Sequence, residues 1–296
     1  MRAEVPADLD GERVDLIVSR LAGMSRSQAR ELVQTAGVRV EGEPVSPKRR
    51  LSAGEAIEFE IPAAKPGLVP EDVPFEVLYE DSHLAVVDKP AGVVTHPGAG
   101  HESGTLAAGI LRRWPKVRGV GAEDRWGIVH RLDRGTSGLL VVALDEEAYS
   151  GLRASMRKRA VERRYLALVA GRPDIPTGTI DAPIRRDPAR PTQMRVDPEG
   201  RPARTHFRTM ASFDGFTLLE LRLESGRTHQ IRVHLASIGL PVAGDRVYGR
   251  PGGSPRVFLH ATGIGFDHPV SGERIEVESP LPEDLRQVLD ELRGAR

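Results

Sequence analysis

Residues 127–144 read GIVHRLDRGTSGLLVVAL. Leu139 to Leu144 is an unbroken apolar run, which leaves no face of a strand for water and therefore requires cover on both sides. A chain of 296 residues is long enough to supply such a core. Ile128 and Val129 read as a strand start that runs into His130, Arg131, Asp133 and Arg134, and Gly135-Thr136-Ser137-Gly138 reads as a small polar turn. One carboxylate thus stands between two arginines on a turn at the lip of a buried sheet.

Two textures flank a break. In residues 12–62, Val14, Ile17, Val18 and Leu21 keep amphipathic helical spacing. Ser25 and Gln28 form a capping-box pattern that opens a second helix, carrying Ala29, Leu32, Val33 and Ala36, with Gly37 as its stop. Strand, turn and strand over 38–45, then a basic loop and a further strand, complete a small unit. Residues 63–74, with prolines at 66, 70 and 74 and no periodicity, are the expected linker. From 75 to 296 short strands dominate, as in FEVLYE, LAVVDKP, RRYLALVAG, ARTHFRTMASF, FTLLELRLE and RVFLHATGI. Helices are expected near 104–113, 146–158, 228–238 and 282–294. The fold class read from this order is α+β, with a mixed, mainly antiparallel sheet behind a small α/β module.

Composition narrows the function. The chain has no cysteine, so it holds neither disulfides nor thiolate metal sites, which suits a reducing cytoplasm. MRAEVPADLD lacks the apolar core of a signal peptide, and no run reaches the roughly 18 residues of a membrane helix. The net charge is zero, but the charges are segregated: residues 153–164 hold six cations and one acid, and residues 185–208 hold seven arginines and three acids. Such strips are either solvated surface or a basic face for a phosphate backbone. No HExxH, GxSxG or phosphate-loop pattern occurs, and His229 and His234 are five apart, off the spacing of helical zinc ligands.

Asp133 then stands out. A lone aspartate on a turn often only accepts backbone amides. Crowding it between Arg131 and Arg134 is costly unless something negative binds there. Arg227, at the expected entrance of the 228–238 helix, is placed to pair with it and fix its direction. A carboxylate so oriented can act as nucleophile or base.

HRLDRGTSGLLVVA closely resembles the catalytic segment of the RluA-type pseudouridine synthases. VDKPAGVVTHPGAG, ERRYLALVAG, LESGRTHQIRVHLASIGLPVAGDRVYG and LHATGIGFDHP resemble that family in the same order, over nearly the whole chain. Residues 12–62 resemble the S-four-type RNA-binding module, which points to the RluD-like branch. The resemblance implies isomerisation of uridine to pseudouridine without metal or cofactor. Asp133 would be the essential carboxylate, Tyr165 the ring stacked on the target uracil, Arg227 the partner of Asp133 and Ile231 an apolar wall. Arg131 would fill the gap left by the flipped nucleotide, His130 would shape the loop, and His229 would be structural. Ser25, Arg26, Arg30, Lys48 and Arg49 would contact RNA. The implied substrate is large-subunit ribosomal RNA, the implied protein a cytoplasmic monomer. Another ribosomal or transfer RNA site, or a non-catalytic assembly factor, are the competing readings.

Overall fold

The computed structural model describes residues 1–24, 26–35, 37–60, 67–98, 100–121, 124–250 and 252–294, with Ser27 by its backbone alone. They fall into two compact units, Met1–Gly67 and Leu68–Arg296. Among the described residues no helix is long and apolar enough to cross a membrane.

In the first unit, β1 (Arg2–Glu4), β4 (Ala56–Phe59), β2 (Val38–Val40) and β3 (Glu43–Pro44) lie side by side in that order, all antiparallel. Helices α1 (Val14–Ala22) and α2 (Arg26–Gln34) supply Val14, Ile17, Val18, Ala29 and Val33 to one core with Ile57 and Phe59. Both expected helices are present, and the Ser25 cap lies outside the described residues. The unit also takes in β1, ahead of the expected start at residue 12. Its boundary falls inside the expected linker, and Val73 of that stretch belongs to the second unit and is buried there.

The second unit is built on a nine-stranded sheet. Its strands are β5 (Glu76–Glu80), β6 (Leu84–Lys89), β7 (Ser137–Ala143), β8 (Glu162–Ala170), β9 (Thr177–Asp181), β12 (Arg204–Ser212), β13 (Phe216–Leu223), β14 (Leu259–Asp267) and β15 (Arg274–Glu278). The order is β5-β6-β7-β14-β8-β13-β12-β9, with β15 also on β14. A small hairpin, β10 (Ile184–Arg186) and β11 (Met194–Val196), stands apart. Helices α3 (Leu106–Arg113), α4 (Glu146–Lys158), α5 (Gln230–Ser237) and α6 (Glu283–Gly294) match the four expected. The fold is α+β, and among the described residues of this sheet only β7 and β14 pair in parallel. Every residue of β7 is buried, as its apolar run demands.

β14 is the pivot of the sheet. One edge pairs with β8, while the other is shared between β7, at His260 and Ala261, and β15, from Gly263 onward. The backbones meet closely at Gly138, opposite Ala261: its φ is 112°, and a Cβ there would lie 2.3 Å from the Ala261 carbonyl oxygen and 2.6 Å from its nitrogen. No side chain fits that position. Gly138→Ala is expected to cost about 3 kcal/mol or more of folding stability. Equilibrium denaturation measures it, and a loss below about 1 kcal/mol would contradict the close approach.

Ile128 and Val129 do not start a strand. Trp126 and Gly127 both have positive φ, and among the described residues the segment's ladder pairing with the sheet is one isolated bridge, Ile128 to Val142. Residues before Ser137 therefore stay a loop, and this loop carries Asp133.

Candidate active site

The loop ahead of β7 is pinned on several sides. Thr95 Oγ1 donates to the Leu132 carbonyl at 2.8 Å and accepts from the Leu132 N–H at 3.3 Å. The Gly92 N–H donates to the Arg134 carbonyl at 2.8 Å, and the Thr136 N–H closes a turn onto the Asp133 carbonyl at 3.0 Å. Lys89 is fully buried, and its ammonium donates to the Pro90 and Val93 carbonyls at 2.8 and 2.9 Å. Burial brings its pKa down to about 7, with Asp133 pulling the other way. Behind the turn, Ser137 Oγ meets His260 Nδ1 at 2.9 Å and Arg256 Nη2 at 3.1 Å. His130 Nε2 accepts from the Val141 N–H at 3.0 Å. Burial, reinforced by Arg163, holds that imidazole down at about 3, so it is neutral and shapes the loop.

These contacts leave the Asp133 carboxylate facing a cleft of about 750 Å³. Among the described residues lining the cleft are nine arginines and two carboxylates, Asp133 and Glu224. Tyr165, on β8, lies in the wall and is 5% exposed. Burial raises its phenol, which stays protonated. Ile231 on α5 and the exposed Arg131 line the same cleft.

The partner of Asp133 is Arg232, not Arg227. Arg232 Nη1 lies 3.3 Å from Asp133 Oδ2, while its Nε and Nη2 grip the fully buried Asp245 at 2.7 and 2.9 Å. Burial opposes the guanidinium charge, but the two carboxylates outweigh it and raise its pKa. Asp245 is held further by the Val247 and Tyr248 N–H groups. The Arg232 guanidinium also lies over the Tyr248 ring at 5.0 Å. Arg227 precedes the helix. Its Nε donates to the Pro202 carbonyl at 3.1 Å, and its N–H donates to Gln230, so it lines the cleft without reaching Asp133. The helix starts at Gln230, which puts Arg232 in the first turn and leaves Arg227 in the loop before it. His229 Nε2 is 3.9 Å from Asp133, and its Nδ1 meets the Tyr248 hydroxyl at 2.8 Å. Burial lowers the His229 pKa against the pull of Asp133.

The basic strips divide in the structure. Arg153, Arg157, Arg159, Arg163 and Arg201 line the cleft, whereas Arg164 pairs with Glu278, Arg195 with Asp197 and Arg208 with Glu220. In the first unit Arg30 and Lys48 are exposed, and Arg49 is exposed but paired with Glu55 at 3.1 Å. Arg26 donates to the buried Asp15 at 3.3 Å, beside Arg13 at 2.6 Å. Burial works against the Asp15 charge, but these two arginines hold its pKa below the usual range. Arg26 is thus partly committed within the unit, and Ser25 lies outside the described residues.

The family model described as RNA pseudouridylate synthase matches residues 83–237, and the one described as S4 domain matches residues 12–57. An enzyme of Xanthomonas campestris named ribosomal large subunit pseudouridine synthase D is 41% identical over 99% of this chain and 92% of its own. An uncharacterized RNA pseudouridine synthase of Chloroflexus aurantiacus is 46% identical over 97% of this chain and 92% of its own. Human RNA pseudouridylate synthase domain containing 1 has a similar structure, with a TM-score of 0.57 and 27% identity over 78% of this chain and 98% of its own. The chain belongs to the RNA pseudouridylate synthase family. It is an RNA pseudouridine synthase, an isomerase, with an S4 domain at its N-terminal end.

Proposed function

We propose that this enzyme isomerises uridine in large-subunit ribosomal RNA, with Asp133 as the group that acts on the target nucleotide. The observation that carries this reading is the Asp133–Arg232 pair set in one arginine-lined cleft with Tyr165. A pseudouridine differs from uridine only in which base atom joins the ribose, so the reaction moves one bond from nitrogen 1 to carbon 5. The base must leave its stack to reach a recessed carboxylate, which costs a few kcal/mol. The cleft arginines repay that cost through phosphate contacts. Tyr165 stacks on the extruded uracil, and Ile231 closes the other side as an apolar wall. Arg131 and Arg227 face the nucleotide and its backbone. The first unit adds RNA contacts through Arg30, Lys48 and Arg49. The ribosomal substrate rests on the names of the relatives together with this basic cleft. The enzyme works as a cytoplasmic monomer in this reading.

Site-resolved pseudouridine mapping of ribosomal and transfer RNA, with and without the protein in cells, tests it. Signals that vanish from large-subunit RNA and return with the wild-type gene, but not with Asp133→Asn, are the expected result. Loss confined to transfer RNA would move the substrate. Unchanged maps would place the substrate outside these RNAs.

A further inference from the structure

Arg163 lines the cleft with the other arginines, but its surroundings differ from theirs. It lies on β8 two residues before Tyr165, on the same face, and is 8% exposed. The remaining cleft arginines are either exposed to water or tied to partners: Arg159 meets Glu224 at 2.6 Å, and Arg232 holds two carboxylates. Among the described residues no carboxylate forms an ion pair with Arg163. Its Nε has no hydrogen-bond partner, and its Nη2 makes only a 3.4 Å contact with the Leu223 carbonyl. The nearby titratable rings do not offset it, since burial keeps both His130 and Tyr165 neutral. The place is nonetheless built for it. A Cβ on Gly226 would come within 2.9 Å of Arg163 Nη1, so the glycine lets the guanidinium lie against the backbone. A buried cation with no counter-charge costs stability, and proteins keep such a cost where function needs it.

We propose that Arg163 neutralises the negative charge that uracil acquires when its bond to the ribose breaks. The proposal rests on the reading of the cleft as a uridine site. Uracil is neutral on arrival. When the N1–C1′ bond breaks, its electron pair goes to the base, and the charge spreads from N1 over O2 and O4. The ribose is satisfied in one of two ways: C1′ bonds to an Asp133 oxygen, or C2′ gives its proton to that carboxylate and later recovers it. The turned base then bonds to C1′ through C5, which displaces the Asp133 oxygen in the first route and accompanies return of the C2′ proton in the second. C5 gives its proton to water and N1 takes one up, so no oxidant or reductant is consumed. Along a strand Arg163 and Tyr165 are roughly 7 Å apart, so a base stacked on the ring lies within the field of the guanidinium. A preorganised charge in such a cleft acts on the transition state more than on the bound neutral base.

Single-turnover kinetics decide it, using RNA with uridine or 5-fluorouridine at the target. Chromatography of the digested nucleosides follows disappearance of the starting nucleoside, because fluorine at C5 leaves no proton there to release. Fluorine draws electrons from the ring and makes the base a better leaving group, which then needs less help. Arg163→Met is expected to slow the uridine reaction about 100-fold or more, in the range of losing one preorganised donor. The loss with 5-fluorouridine should be about tenfold smaller, Arg163→Lys should fall between, and RNA affinity should stay within about threefold. The free Arg163→Met protein should melt at or above the wild-type temperature, because an uncompensated charge is gone. Equal losses on both bases with weakened binding would overturn the proposal and make Arg163 a phosphate anchor. A lower melting temperature or insolubility in both variants would overturn it by assigning Arg163 to the fold. Failure of the wild type on uridine RNA would instead refute the uridine site itself.

Discussion

Asp133→Asn is expected to abolish uridine isomerisation, with a loss of about four orders of magnitude or more. Asparagine keeps the shape of the side chain and can still accept from Arg232 Nη1, which sits 3.3 Å from Asp133 Oδ2. What it removes is the negative charge and the ability to attack or to take a proton. The loop should not move, because its anchors are the Thr95, Gly92 and Thr136 contacts, none of which uses the Asp133 side chain. RNA affinity should hold or rise, since the variant removes one of the two carboxylates in an arginine-rich cleft. Conversion is measured under single turnover, and binding by titration at one stated salt concentration. Turnover within tenfold of wild type would remove Asp133 from the chemistry.

The second large effect separates two arginines. Arg232→Gln takes the guanidinium from Asp245, which is fully buried, and from Asp133. Breaking a buried pair while leaving one charge inside costs about 3–5 kcal/mol. In a unit of this size that lowers the melting temperature by roughly 6–20 °C. Activity should be lost together with that stability, and Arg232→Lys should recover little, because a point charge cannot hold Asp245 by two bonds and Asp133 by a third. Arg227→Gln should leave the melting temperature within about 1 °C of wild type, as for a surface change, and weaken RNA binding alone. Thermal unfolding of the three variants checks both halves. A stable Arg232→Gln, or an Arg227→Gln that unfolds early, would reverse the assignment of the pair.

That contrast shows where the sequence was readable. Asp133 could be found because charge at the edge of an unbroken apolar run is locally anomalous. The fully buried β7 and the capped helix α4 were legible for a similar reason: strong patterns over seven and thirteen residues leave little to context. The choice between Arg227 and Arg232 was not legible. Both lie in GRTHQIR, and only the first residue of α5 decides which one turns toward the carboxylate. Asp245, in AGDRVYG, carried a usable hint, since an acid next to a structured turn is a candidate for an arginine in the preceding helix. Strands β9, β10 and β11 escaped notice because each is short and largely exposed, with little apolar alternation, whereas β15, Arg274–Glu278, does alternate and was missed for its shortness. Arg163 looked like one more member of a basic strip. That its Nε is buried without a hydrogen-bond partner among the described residues is a property of three-dimensional packing that no spacing rule reports.

The position of β14 has a consequence for how the enzyme is made. β7 and β8 follow one another in the chain with one helix between them, yet they are not neighbours: β14, almost a hundred residues further on, is inserted between them. The centre of the sheet can therefore close only after β14 has been made, well after β7 and β8. Pairings between such distant segments form slowly, because a long loop must close before any contact rewards it. A chain halted before Leu259 would hold a finished S4 domain and most of the cleft residues, but the turn that carries Asp133 would lack its backing strand. The turn that carries Asp133 is thus backed only once β14 is in place, long after the strands of the S4 domain have been made.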